Sequence, residues 1–215
     1  MKRLLVCLLC ACAVCLPVTA HVLDQYLQVA QIALAPDSVR VELRLIPGAQ
    51  VADCIIALID TDGDGKILDT EKQVYARRAL QDVTLEVDGR RATLALTEVH
   101  FPAQREMKEG IGAIRLTLAA EAALGAGEHQ LSFRNDHLPE LGVYLANALV
   151  PATTEIKIGG QARDALQREL RINFHSTPDV AWGWPRRTGV LLFGLCLALL
   201  IPQWKRLRSF WRRSE

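Results

Sequence analysis

Along residues 39–45, Val39, Val41, Leu43 and Leu45 alternate with Arg40, Glu42 and Arg44. A period of two puts the apolar set on one face of an extended strand and the charged set on the other, as in a half-buried antiparallel strand. Strand-length runs recur at residues 26–34, 83–87, 92–99, 111–118, 129–133, 143–149, 154–158 and 171–174. Turn chemistry separates many of them: Pro36-Asp37, Pro47-Gly48, Asp88-Gly89, Gly125-Ala126-Gly127 and Gly159-Gly160. The pattern predicts a mainly β fold, an antiparallel β-sandwich-like domain or open barrel of about seven to nine strands. Asp88-Gly89 is the clearest hairpin turn, with Arg90 and Arg91 expected to lengthen its loop. Helical stretches are few. Residues 51–59 and 69–80 flank one loop as an inserted helix-loop-helix, with Val74 and Leu80 as apolar contacts of the second helix, and residues 161–169 read as a short polar helix.

The two ends carry a different pattern. Residues 1–20 read as a secretory signal: Lys2 and Arg3 precede an apolar run, and Val18-Thr19-Ala20 offers small residues for cleavage, so that His21 opens the mature chain. Residues 188–203 are uncharged and mostly apolar. Extended to 184–204 they span about 31 Å as a helix, enough to cross hydrocarbon about 30 Å thick. Trp182, Trp184, Trp204 and Trp211 lie in or beside this segment, as lipid interfaces favour. The expected organisation is a signal peptide (1–20), an exported β-rich domain (21–183), a transmembrane helix (184–204) and a basic cytoplasmic tail (205–215). More basic residues follow the apolar segment than precede it, which places the tail inside and the domain on the periplasmic side.

Composition sharpens this. Lys and Arg total 25 against 24 Asp and Glu, a net charge of +1 that makes no case for nucleic acid. The basic surplus is concentrated at the ends, and the stretch from Lys205 to Arg213, with aromatics interleaved, suits anionic lipid headgroups. Cys7, Cys10, Cys12 and Cys15 fall within the leader, leaving Cys54 in the exported part and Cys196 in the apolar segment. An exported domain with one cysteine has no internal disulfide to staple it.

Residues 60–71 carry the most specific chemistry: Asp60, Asp62 and Asp64 alternate, Gly65 follows, and Glu71 closes the run. Calcium takes six to eight hard oxygen ligands, so carboxylates must converge from a tight loop whose glycine permits the turn. The stretch resembles the EF-hand calcium loop. That resemblance implies ligands from Asp60, Asp62, Asp64, the Lys66 carbonyl and a bidentate Glu71, with Leu68 standing where a polar residue usually helps hold a water. No second loop is present to pair with it, so Ile67 is expected to pack on the neighbouring strands, and a structural role for Ca2+ is expected rather than a sensor's.

Other signals are weaker. A free amine on His21 beside its own imidazole chelates copper or nickel, with His100, His129, His137 and His175 as possible companions, although no spacing clusters them and surface positions are the expectation. His21, Tyr26-Leu27-Gln28 and Asn135-Asp136-His137-Leu138-Pro139 are faintly similar to the extracytoplasmic N-terminal region of HupE/UreJ-like membrane proteins. That resemblance implies a link to nickel enzymes, but the multi-helix membrane part is missing and transport does not carry over. No nucleophile elbow, zinc-protease, phosphate-loop or dinucleotide signature is present. The reading is a calcium-binding, membrane-anchored binding or scaffold protein with an envelope protein partner, and not an enzyme; the alternative is a nickel or copper accessory protein.

Overall fold

The computed structural model describes residues 24–177. The expected leader, the apolar segment, the basic tail and His21 lie outside the described residues. Among the described residues no helix is long and apolar enough to cross a membrane.

The chain is mainly β, in two five-stranded sheets. Strand β1 (Tyr26–Leu34) turns at Pro36-Asp37 into β2 (Ser38–Pro47), and the two pair antiparallel from Tyr26↔Pro47 to Leu34↔Val39. Both alternate as the period of two requires: Val39, Val41, Leu43 and Leu45 are buried, whereas Arg40 and Arg44 are exposed. Next come β3 (Val83–Val87), the short β4 (Arg90–Arg91), β5 (Ala95–His100), β6 (Ile114–Glu121), β7 (Gly127–Asn135), β8 (Gly142–Ala148), β9 (Ile156–Arg163) and β10 (Glu169–Ser176). The first sheet runs β5-β6-β2-β1-β8 and the second β4-β3-β7-β10-β9. Buried residues of both, such as Leu43, Leu116, Leu85, Phe133 and Ile172, belong to one apolar cluster. Each such side chain contributes about 1.5–3 kcal/mol by leaving water.

Four features depart from the sequence pattern. The first sheet is mixed: β8 pairs with β1 parallel, Tyr26↔Gly142 through Ile32↔Ala148. The segment before β8 fixes that direction, since Leu141 accepts the Tyr26 amide and Gly142 donates to Leu138, delivering β8 alongside the start of β1. Residues 161–169 are not helical; they form the end of β9, a turn and the start of β10. There the Asp164 carboxylate takes the Glu169 amide at 2.8 Å and Gln167 adopts φ of 55°, while Gln161 and Arg163 project across a sheet edge. At Asp88-Gly89 the turn is as expected, with both φ positive as a type I′ hairpin demands, but Arg90 and Arg91 are the return strand rather than loop. The chain then leaves for the other sheet, where β5 pairs with β6.

The insertion between β2 and β3 consists of α1 (Ala52–Ile59) and α2 (Asp69–Gln81). Helix α1 buries Ala52, Ile55, Ile56 and Ile59, a stripe at helical spacing. Helix α2 buries Glu71, Tyr75, Ala76 and Ala79; of its two expected apolar contacts Leu80 packs partly buried against the core, whereas Val74 is 59% exposed. A further short helix, α3 (Gln104–Lys108), buries Met107 and reaches α1 through an ion pair from Lys108 to Asp53. Facing edges of the two sheets are closed on one side by Arg163 of β9, which donates to the Ala146 carbonyl of β8 at 2.9 Å and to Asn147 at 2.7 Å. That occupies backbone a bare edge strand would leave open to another chain.

Candidate metal centre

The loop between α1 and α2 is shaped by its own carboxylates. Asp60 accepts the amides of Gly63 (2.8 Å) and Gly65 (2.9 Å), one on each oxygen. Asp62 accepts the Asp64 amide and Asp64 the Lys66 amide, at 3.1 and 2.8 Å. Gly63 and Gly65 have φ of 71° and 80°, a left-handed backbone that a side chain would strain. Glu71 sits in the first turn of α2, buried, and reaches back over the loop. Its Oε1 accepts the Thr61 amide at 2.6 Å and the Thr61 hydroxyl at 3.1 Å; its Oε2 accepts the Leu68 amide at 2.9 Å. The Leu68 bond, followed by those from Thr61, holds the Glu71 carboxyl below its ordinary range against the opposing effect of burial.

Carboxylate oxygens of Asp60, Asp62 and Glu71 lie within 4.8 Å of one another, the one group of three or more potential metal ligands among the described residues. The Asp64 carboxylate, another expected ligand, stands outside this close group. None of the four carboxylates forms an ion pair with a described Lys, Arg or His. The donor set suits a hard divalent cation: it is all oxygen, and the Asp60 and Asp62 oxygens that accept one N–H each retain a lone pair for a metal, whereas Glu71 Oε1 already accepts twice from Thr61. Three negative charges in so small a space repel, and a cation between them removes that repulsion. Ile67 is partly buried against the core, which fastens the loop's far side.

A second polar assembly escapes the sequence pattern and joins α2 to the sheets. The Tyr75 hydroxyl, one helical turn beyond Glu71, lies 2.7 Å from the Tyr26 hydroxyl and 3.1 Å from His137 Nε2. His137 Nδ1 lies 2.7 Å from the carboxylate of Asp82, the residue that caps α2. Since a carboxylate only accepts, Nδ1 carries the proton, Nε2 accepts from Tyr75, and the Tyr75 oxygen accepts from Tyr26. The His137 carbonyl receives the Gln28 amide and the Tyr144 hydroxyl, both at 2.7 Å, and Asn135 bridges Gln28 to the His137 amide. Burial moves the pKa of Tyr26 and Tyr75 up and that of His137 down, so all three stay neutral at neutral pH.

His137 is thus an interior residue, against the expectation of four surface histidines. The signal for it is Gln28: a polar side chain on the Tyr26-Gln28-Ala30 face of β1 must find partners inside. His129 pairs with Asp88, His175 with Glu128, and His100 is exposed on β5, so the histidines offer no shared site among the described residues. Comparison with protein families, characterised proteins and solved structures finds no match to this chain.

Proposed function

We propose that this is a calcium-binding, membrane-anchored protein of the cell envelope. In this reading the two sheets form a β-sandwich-like periplasmic domain, the loop at residues 60–71 is an EF-hand-type site, and a transmembrane helix leads to a basic cytoplasmic tail. Calcium serves structure: it ties α1, the loop and α2 into one geometry and so sets a surface for an envelope protein partner, without catalysis. The closeness of the Asp60, Asp62 and Glu71 carboxylates, with oxygens within 4.8 Å of one another, supports it most directly. Asp60, Asp62 and Glu71 supply side-chain oxygens, with Asp64 and the Lys66 carbonyl completing the shell.

The test is thermal melting of the full chain in calcium and in chelator. For the weak extracellular range of about 10⁻⁴–10⁻³ M, a 10 mM excess stabilises by about 1.4–2.7 kcal/mol. That corresponds to a rise of about 3–10 °C. Asp62→Asn is the informative variant, because Asp62 is exposed and accepts just one loop amide. It is expected to leave the melt in chelator nearly unchanged while removing most of the gain in calcium. Equal melting with and without calcium in the unaltered chain refutes the reading.

A further inference from the structure

Helix α2 is lightly held. Its inward face buries the small side chains of Ala76 and Ala79 beside Glu71 of the loop, and Leu80 is partly buried against the core. Tyr75 is the one aromatic side chain that α2 buries. It stands in the middle of a chain of hydrogen bonds running from Tyr26 on β1 to His137, between β7 and β8, and on to Asp82 at the end of α2. Donors and acceptors along this chain balance: Nδ1–H, the Tyr75 O–H and the Tyr26 O–H give the protons, and Asp82, Nε2 and the Tyr75 oxygen take them. One more proton on His137 upsets the balance. Nε2 turns from acceptor to donor, Tyr75 has to turn its own proton toward Tyr26, and the Tyr26 proton is left with no acceptor among the described residues. Tyr26 and His137 are both buried, so a stranded donor and a charge enter the interior together. The other bonds of His137 decide what yields. Its carbonyl receives Gln28 and Tyr144 and its amide donates to Asn135, which fastens its backbone to β1, β8 and β7 whatever the ring does. The helix on the far side of the ring has no such fastening at Tyr75.

We infer that His137 is a proton-operated latch on α2: protonation of its ring releases the helix while the two sheets stay paired. The charged and titratable groups facing the ring are Tyr75, Arg78 and Asp82 from α2 and Tyr26 from β1, while Tyr144 of β8 faces the His137 carbonyl. Burial holds the imidazole below the ordinary histidine range; Asp82 opposes this and Arg78 adds to it. Opening the latch puts the ring in water, where it titrates near 6.5. Closure is therefore at full strength above pH 6.5 and weakens about ten-fold per pH unit as pH falls through 6.5 toward the lowered value of the closed form. Ordinary carboxylates titrate near pH ~4, below this window. The latch does not depend on whether the acidic loop binds calcium.

Hydrogen–deuterium exchange of the full chain in chelator tests it, read by mass spectrometry at about pH 7.5 and about pH 5.0 with labelling times scaled for the intrinsic exchange rate. Opening of residues 72–81 is expected to rise about 30-fold at the lower pH, relative to strands β1, β2 and β6. In His137→Gln that rise is expected to vanish, whatever the starting protection of the helix. Because this variant also disturbs the hydrogen-bond chain, the ring nitrogen-15 shifts of His137 in the unaltered protein give a second reading. A neutral ring protonated at Nδ1 is expected wherever α2 is protected, with the charged ring appearing together with the opened helix. A rise of equal size in His137→Gln, a loosening shared by both sheets, α2 protection indifferent to pH, or a charged His137 ring beneath a protected helix would each overturn the inference.

Discussion

Replacing Tyr75 by Phe removes one oxygen from the interior and leaves two groups without partners. The proton order derived from Asp82 makes the Tyr26 hydroxyl a buried donor facing nothing and His137 Nε2 a buried acceptor facing nothing. Tyr26, Tyr75 and His137 are 0%, 2% and 1% exposed, so bulk water cannot substitute. An orphaned buried polar group costs about 1–3 kcal/mol, which puts Tyr75→Phe at about 4 kcal/mol, or about 8–16 °C in Tm. Tyr26→Phe is milder, because Tyr75 keeps its bond to His137 and just one hydrogen bond is lost, about 1 kcal/mol. The double variant is the sharpest case: deleting the Tyr26 hydroxyl from the Tyr75→Phe protein removes an orphan and restores about 1–3 kcal/mol. Denaturant titration followed by near-ultraviolet circular dichroism measures all four proteins. A double variant less stable than Tyr75→Phe alone, or two single variants of equal cost, would refute the proton order.

Two more outcomes follow from exposed features. His129 donates from Nδ1 to Asp88 and from Nε2 to the Gly125 carbonyl when protonated; the Asp88 bond, then the Gly125 bond, raises its pKa above 6.5, while Asp88 is lowered first by the Gln130 amide and then by His129. The His129 contribution is therefore full below pH 6.5 and lost as pH rises through the higher folded value, and the Asp88 contribution is lost as pH falls through its lowered value. Denaturant midpoints measured from acid to mildly alkaline pH should decline at the alkaline end in the unaltered chain and lose that decline in His129→Gln. Arg163→Ala uncovers the Ala146 carbonyl on β8 and is expected to promote self-association, read as faster growth of light scattering at equal melting temperature; unchanged scattering counts against an edge-guarding role.

How much of this was legible follows the physics of each signal. The alternation at Val39 to Leu45 reports burial on one face, and β2 has that face inward. Asp88-Gly89 was readable because a type I′ turn needs two positive φ angles, which that pair tolerates. The acidic loop was readable as a spacing of carboxylates, and those of Asp60, Asp62 and Glu71 lie close together. The strand character of residues 161–163 was not, because Gln161 and Arg163 are polar and the segment is held extended by backbone pairing with Leu170 to Ile172 of β10, which no local pattern announces. The parallel pairing of β8 and the interior place of His137 depend on partners far along the chain, which no local pattern encodes.

The parallel seam between β1 and β8 also orders events in time. Gln28 and Asn135, whose side chains meet, are 107 residues apart, so the earliest strand of the domain keeps one flank bare until nearly the whole domain has emerged. Contacts of such separation form slowly, and strands left uncovered meanwhile invite wrong partners. A chain delivered in pieces, start first, thus passes through a stage in which the β1–β2 hairpin waits for its last neighbour, and whatever shields that flank decides how much protein matures.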